Sequence, residues 1–110
     1  MIRSAPPSLE QWRHAFVAAV RADAPDLSSR QMALLLTVYL EPPPHTVRGL
    51  AARLGVTKPV ISRALDSLGR LGLLKRRRDP ADRRNVLVGR TVKGAVFLTD
   101  FADRGDLADL

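Results

Sequence analysis

The strongest constraint on the fold is a pair of short apolar stripes that meet at Gly55. Each stripe has the spacing of three and four residues that places side chains on one face of a helix. The two stripes are Val47, Leu50, Ala51 and Leu54, and then Ile61, Ala64, Leu65 and Leu68. Thr46 and Thr57 precede them at N-cap positions, and Gly55 and Gly72 follow them. Residues 46–72 are therefore predicted to form two helices across a tight turn, a helix-turn-helix.

A basic hairpin is predicted directly after this pair, over residues 73–91. Two strand-length runs, 74–78 and 86–91, flank the turn-forming stretch 79–85. A helix-turn-helix followed by such a hairpin is typical of a winged helix-turn-helix, whose two projections can reach adjacent grooves of DNA. The sequence order thus favours DNA binding.

Helices are predicted on either side of this unit. Ser8 with Gln11 and Ser28 with Gln31 have the spacing of capping boxes for two N-terminal helices within residues 8–41, which end before three prolines. Thr91 is the expected cap of a last helix within 92–110. The fold class is mainly α with a small β-hairpin, a winged helix of about five helices and a two-stranded wing, as one domain over residues 1–110.

The positive charge is concentrated in the middle of the chain. The chain carries 18 Lys and Arg against 11 Asp and Glu, a net charge of +7. Residues 47–94 contain 13 of the basic residues and only three acids, a net charge of +10, so the remainder nets −3. Such segregation favours one surface that faces a polyanion, with double-stranded DNA as the expected partner. A solvated basic face is the alternative.

The helix over residues 57–71 is predicted to enter the major groove. Its candidate DNA-binding residues are Thr57, Lys58, Pro59, Val60, Ser62 and Arg63. Lys58, Ser62 and Arg63 are expected at base edges or nearby phosphates, and Val60 at a thymine methyl. The alternative for Arg63 is an ion pair with Asp66, three residues further along the helix.

The wing over residues 74–91 is predicted to reach the minor groove. Its candidates are Lys75, Arg76, Arg77, Arg78, Arg83 and Arg84. Alternate residues of a strand point to opposite faces, so about two of the first four can meet DNA. Arg83 or Arg84 is expected in the groove, with Asp79 and Asp82 accepting turn amides or holding an arginine. A solvated charged loop is the alternative.

Composition excludes several other functions. The chain has no cysteine, which excludes disulfides, thiolate metal sites and cysteine nucleophiles. His14 and His45 lack neighbouring ligands, so no metal and no cofactor is predicted. Trp12 and Tyr39 lie on apolar helical stripes and are expected in the core. With no apolar run long enough to cross a membrane, we expect a nucleoid-associated cytoplasmic protein of a bacterial or archaeal type cell, and not an enzyme.

Residues 46–94 resemble the MarR family of winged-helix transcriptional regulators. The resemblance rests on LAARLGVTKPVISRALDSL for the helix-turn-helix, on LGLLKRRRDPADRR for the strand and wing, and on the Lys-Gly pair that follows. It implies a dimeric repressor or activator that binds a pseudo-palindromic operator, with an arginine of the Asp82-Arg83-Arg84 segment in the minor groove. Repression by promoter occlusion is the expected output.

The chain departs from the family at two places. Arg90-Thr91 stands where members usually have Leu-Thr, and the sequence ends at Leu110, where members usually continue with long dimerisation helices. We therefore expect a short form, with a homodimer formed through the Trp12-containing first helix and through Phe97 and Phe101. Two alternatives remain at this point: a winged-helix protein-docking module, and a nonspecific or architectural nucleic-acid binder.

Overall fold

The computed structural model describes residues 7–105, which fall into two compact units. Within these residues, the chain forms five helices and a three-stranded sheet. In chain order the elements are α1 (Pro7–Arg21), α2 (Ser29–Leu40), β1 (His45–Thr46), α3 (Val47–Leu54), α4 (Lys58–Arg70), β2 (Leu74–Arg78), β3 (Val86–Arg90) and α5 (Val92–Arg104). The larger unit spans residues 27–95, and the smaller one combines residues 7–26 with residues 96–105.

Helix α2 begins at the capping box that the sequence predicts. The Ser28 hydroxyl accepts a hydrogen bond from the Gln31 amide at 3.1 Å, and the Gln31 side chain accepts one from the Ser28 amide at 2.8 Å. Two of the amides that a helix start leaves without partners are thus satisfied. The helix ends at Leu40, so the predicted stop before the prolines is confirmed.

The turn between α3 and α4 follows the predicted chemistry, with one difference. Thr46 caps α3 by accepting from the Gly49 amide at 3.0 Å, and Gly55 ends it with a left-handed φ of 68°. That conformation costs other residue types about 1 kcal/mol or more, which explains a glycine there. Thr57 occupies the N-cap position of α4, but its side chain makes no capping bond. Pro59 lies in the first turn, where a missing amide hydrogen costs little.

The sheet has one strand that the sequence did not predict. Its order is β1-β3-β2, and both pairings are antiparallel. The hairpin of β2 and β3 confirms the predicted wing, with Leu74 opposite Arg90 and Arg78 opposite Val86. The two-stranded wing is as predicted; β1 is an addition to it, two residues long and paired only with β3. It joins the base of the wing to the start of α3.

The core of the larger unit lies between the helices and the inner face of the sheet. Its six largest fully buried side chains are Leu34, Leu35, Val38, Ile61, Leu68 and Leu73. Each is worth roughly 1.5–3 kcal/mol of transfer free energy. The predicted stripe of α4 is buried throughout, which fixes the face that α4 turns to solvent.

The Tyr39 hydroxyl ties α2 to the end of the wing and the start of α5. It lies 2.9 Å from the Leu73 carbonyl oxygen and 3.0 Å from that of Thr91, and it accepts from the Thr91 amide at 2.9 Å. Thr91 caps α5 as predicted, accepting from the Gly94 amide at 2.9 Å. Gly94 is buried against these groups, and a larger residue would not fit there. Packing therefore requires glycine at this position, although glycine has a low helix propensity.

The smaller unit carries a ladder of aromatic side chains. The Trp12 and Phe16 rings stack with centroids 5.7 Å apart, and Phe101 meets Phe16 edge-on at 5.3 Å. The expectation that Trp12 is a core residue was wrong, since it is 50% exposed. The helix also begins at Pro7, which places Ser8 inside the first turn and not at the predicted N-cap. Within residues 7–105, no helix is long and apolar enough to cross a membrane.

Candidate nucleic-acid interface

Helix α4 presents a polar ridge on the side opposite its buried stripe. At 100° per residue, Pro59, Arg63, Asp66 and Arg70 lie along one line that faces away from Ile61, Ala64, Leu65 and Leu68. All four ridge residues are exposed. Of the other candidates on this helix, Thr57 and Lys58 are exposed at its N-terminal end, whereas Val60 and Ser62 are half-buried on its two flanks.

The acid on this ridge is neutralised by the wing. Asp66 forms an ion pair with Arg76 of β2, and Arg76 also donates to the Ser62 carbonyl at 3.4 Å. The alternative pairing of Arg63 with Asp66 is therefore absent. Within the described part of the chain, the Arg63 side chain makes no ion pair or hydrogen bond, so its guanidinium is available to a ligand.

The basic residues of β2 divide between the two faces of the sheet. Lys75 and Arg77 point outward, across from Gly89 and Leu87. Arg76 lies on the inner side and reaches α4, while Arg78, on the same side, donates to the Arg83 carbonyl at 2.6 Å. Two of the four candidates are thus used to position the wing, and two face solvent.

The wing tip holds one arginine in a fixed orientation. Asp82 accepts from the Arg84 amide at 3.1 Å and from Arg84 Nε at 3.2 Å, while Asp79 accepts from the Ala81 amide at 2.9 Å. The side-chain hydrogen bond from Arg84, followed by the backbone one, holds the pKa of Asp82 below its usual value, and the charge of Arg48 acts in the same direction. The Arg84 side chain remains 86% exposed.

Two further basic residues of segment 47–94 bond to groups within the protein and are not free for a ligand. Arg90 donates to the carbonyl oxygens of Val38 at 2.9 Å and Glu41 at 3.0 Å, and it lies over the Tyr39 ring. It therefore caps the C-terminal end of α2, where carbonyl groups lack helical partners. Arg53 of α3 pairs with the Glu41 carboxylate at 2.8 Å. The count of 13 basic residues thus overstates the charge that a ligand can use.

One basic residue next to the ridge lies outside the segment that sequence analysis singled out. Arg30, in the first turn of α2, and Arg63 line a common groove. Arg30 belongs to the part of the chain that nets −3. Only the packing of α2 against α4 brings it beside the ridge, and no local motif indicates this.

The chain matches a known protein family. The family model described as MarR family matches residues 26–85, more than half of the chain. This chain belongs to the MarR family. The match covers both helices of the turn, β2 and the wing tip, which are the elements that carry the ridge and the exposed arginines. None of the curated proteins compared matches the chain.

Solved structures of MarR-family regulators share the fold. The S. aureus MepR–DNA complex is similar at 25% identity over 93% of this chain and 81% of that one, with a TM-score of 0.75. The transcriptional regulator Tm0710 from Thermotoga maritima is similar at 26% identity over 90% of this chain and 64% of that one, with a TM-score of 0.71. The transcriptional regulator BldR from Sulfolobus solfataricus is 39% identical over 67% of this chain and 52% of that one, with a TM-score of 0.59. The family and the fold are those of transcriptional regulators.

Proposed function

We propose that this protein binds double-stranded DNA at specific sequences and regulates transcription, acting as a binding protein and not as an enzyme. The observation that carries the proposal is the ridge of α4, where Arg63 is exposed and the one acid, Asp66, is neutralised by Arg76. An unpaired carboxylate on this line would repel phosphates, whereas a guanidinium can donate two hydrogen bonds to guanine. The MepR relative was solved as a complex with DNA, which supports the same ligand here.

In this proposal, α4 with its N-cap, residues 57–71, enters the major groove. The N-terminal end of a recognition helix approaches the bases most closely, so Lys58 and Arg63 read base edges or adjacent phosphates. Thr57 and Pro59 pack near the backbone, Val60 meets a thymine methyl, and Ser62 contributes its hydroxyl. Arg63 is the residue that we expect to carry most sequence discrimination.

The wing, residues 74–91, lies along the minor groove. We assign the groove arginine to Arg84, because its bonds to Asp82 restrict its rotamers before binding and reduce the entropy lost on insertion. Arg83 reaches an adjacent phosphate. Lys75 and Arg77 on the outer face of β2 are phosphate contacts, and Arg76 and Arg78 are positioning residues for the wing.

The binding unit is proposed to be a homodimer that occludes a promoter. The smaller unit exposes the large apolar side chains of Leu9, Trp12, Phe16, Val17 and Val20 on α1 and of Val96 on α5. Phe97 and Phe101 are half-buried, and Phe101 meets Phe16 edge-on. A second copy covering this face would remove apolar surface from water and give two-fold symmetry to DNA recognition. A regulator of this kind works where the chromosome is, in the cytoplasm at the nucleoid.

Loss of Arg63 tests the base-reading role. Arg63→Ala is expected to weaken binding to the best duplex from a random-sequence selection by about 1–3 kcal/mol, with a smaller loss on random duplex. Arg21→Ala, at the end of α1, removes the same charge and serves as the matched control. Equal losses of Arg63→Ala on both duplexes would assign Arg63 to phosphate and remove it from base recognition.

Loss of Trp12 tests the proposed dimer. Trp12→Ala is expected to shift the mass measured by sedimentation equilibrium from two chains toward one, because half of this ring is exposed on the α1 surface. Val92→Ala, which truncates an exposed apolar side chain of the larger unit, should leave the dimer intact. A wild-type mass of one chain at micromolar concentration would contradict the dimer.

A further inference from the structure

We infer that Arg30 is a phosphate contact on the flank of the recognition helix opposite the wing, so that one chain holds the DNA backbone on both edges of the major groove. The inference rests on the proposed DNA binding. It adds a residue from α2 to an interface otherwise built from α4 and the wing.

Arg30 lies beside the flank of α4 that faces away from the wing. Val60, Ala64 and Ser67 line the groove shared with Arg30, whereas Ser62 and Asp66 contact Arg76 of the wing. At 100° per residue, the centres of these two sets lie roughly 150° apart around the helix axis. Arg63 lies between the two sets. Arg30 and the wing therefore flank the ridge from its two sides.

The groove that Arg30 shares with α4 is suited to an anion. It is lined by two guanidinium groups, two hydroxyls, one amide and two small apolar side chains, and no carboxylate is among them: Ser28, Arg30, Gln31, Val60, Arg63, Ala64 and Ser67. Within residues 7–105, the exposed Arg30 side chain has no ion pair or hydrogen bond. Guanidinium groups beside hydroxyls suit a phosphate diester, because they supply several donors to its charged oxygens.

The start of α2 is held in place by its capping box. Ser28 and Gln31 bond to each other's backbone in the capping box, so the turn that carries Arg30 has a defined orientation. A contact from a fixed turn loses less entropy on binding than one from a loop. The major groove of B-DNA is about 12 Å wide and is bordered by one phosphate backbone on each side. A helix seated in it brings residues on its two flanks toward opposite strands.

The test is the salt dependence of binding for Arg30→Ala on the selected duplex. Loss of one phosphate contact is expected to weaken binding roughly tenfold on the selected and random duplexes alike. It should also reduce the slope of log K against log salt by about 0.9. Arg30→Lys keeps the charge and should restore most of the slope. Arg21→Ala is the matched control, and thermal unfolding of each variant confirms that it is folded.

Methylphosphonate substitution, which removes the charge of one phosphate at a time, locates the contact. In the wild type, substitution of each contacted phosphate is expected to reduce affinity. In Arg30→Ala, substitution of one particular phosphate should no longer reduce affinity. That phosphate should lie on the edge of the major groove opposite the phosphate whose substitution no longer matters in Lys75→Ala. The inference is overturned if Arg30→Ala leaves the salt slope unchanged, or if its phosphate lies on the same groove edge as that of Lys75→Ala. In either case the proposed DNA binding still stands. If the wild type binds no duplex, the proposed function itself fails.

Discussion

Substitution of Gly94 by alanine is the most stringent test of how the wing is joined to α2 and α5. A Cβ at this position would lie 1.9 Å from the Tyr39 hydroxyl oxygen and 2.3 Å from the Leu73 carbonyl oxygen. Both distances are far inside van der Waals contact, and the second involves backbone. The helix cannot accept the methyl group without moving away from Tyr39, which breaks the hydrogen bonds that the hydroxyl makes to Leu73 and Thr91.

The magnitude follows from these two losses. Overpacking costs about 1–3 kcal/mol, and each lost hydrogen bond about 0.5–1.5 kcal/mol. With the hydrogen bonds to Leu73 and to Thr91 both lost, the sum is roughly 2–6 kcal/mol, against a total stability of about 5–15 kcal/mol for a domain of this kind. At about 4 °C or more per kcal/mol, Gly94→Ala should lower Tm by at least about 8 °C.

The assay is thermal unfolding followed by circular dichroism, with two companion variants. Gly69→Ala is the matched control, because its nearest atom is the Leu74 carbonyl oxygen at 4.0 Å and alanine favours the helix, so Tm should hold or rise. Adding Tyr39→Phe to Gly94→Ala removes the closest clash but leaves those with the Leu73 carbonyl oxygen at 2.3 Å and with the ring carbon Cζ of residue 39 at 2.8 Å, so it should recover only part of the loss. A Tm of Gly94→Ala within 3 °C of wild type would refute the packing argument.

Three further predictions concern the wing and the turn. Arg76→Ala should weaken DNA binding, measured by fluorescence anisotropy, because it leaves the Asp66 charge without its partner. The loss of affinity should be smaller in an Asp66→Asn background. An equal loss of affinity in both backgrounds would mean that Arg76 touches DNA itself. Because the folded-state pKa of Asp82 is lowered, its contribution to stability is complete above the ordinary aspartate pKa and is lost as the pH falls through the lower folded value. The Arg84 amide should report this loss in an NMR titration below the usual aspartate range, and a midpoint at or above the ordinary value would contradict it. Because Gly55 has a left-handed φ, Gly55→Ala should lower the free energy of unfolding in urea by about 1 kcal/mol, and Gly55→Asn should lower it less. Equal stabilities of the three proteins would show that this backbone conformation does not require glycine.

Local patterns predicted the elements that are coded by neighbouring residues. The capping box at Ser28, the cap at Thr46 and the glycine at 55 each act within four residues, so the bounds of α2 and α3 follow from the sequence. The hairpin likewise follows from two strand-length runs around a turn. Strand β1 was missed because two residues carry no period, and its pairing partner lies about 40 residues away.

The contacts that shape the candidate site are long-range and were not predictable in this way. Arg76 was one of four equal candidates until its pairing with Asp66 appeared, and Arg30 lay outside the basic segment. Charge counting identifies how many cations a segment holds but not which are already paired, as Arg90 at the end of α2 shows. Trp12 was misassigned because a helical apolar stripe does not say whether a core or a second chain covers it.

The measurement that tests the central claim most directly is selection of random duplex DNA on the purified protein, followed by binding of the selected sequences across a salt series. We predict an inverted repeat with half-sites about one helical turn apart, bound at least ~10³-fold more tightly than random duplex. Tight binding without a sequence motif, steeply weakened by salt, would contradict base recognition by α4 and indicate a nonspecific nucleic-acid binder. Absence of binding to any duplex would contradict the DNA-binding function and indicate a protein-docking module.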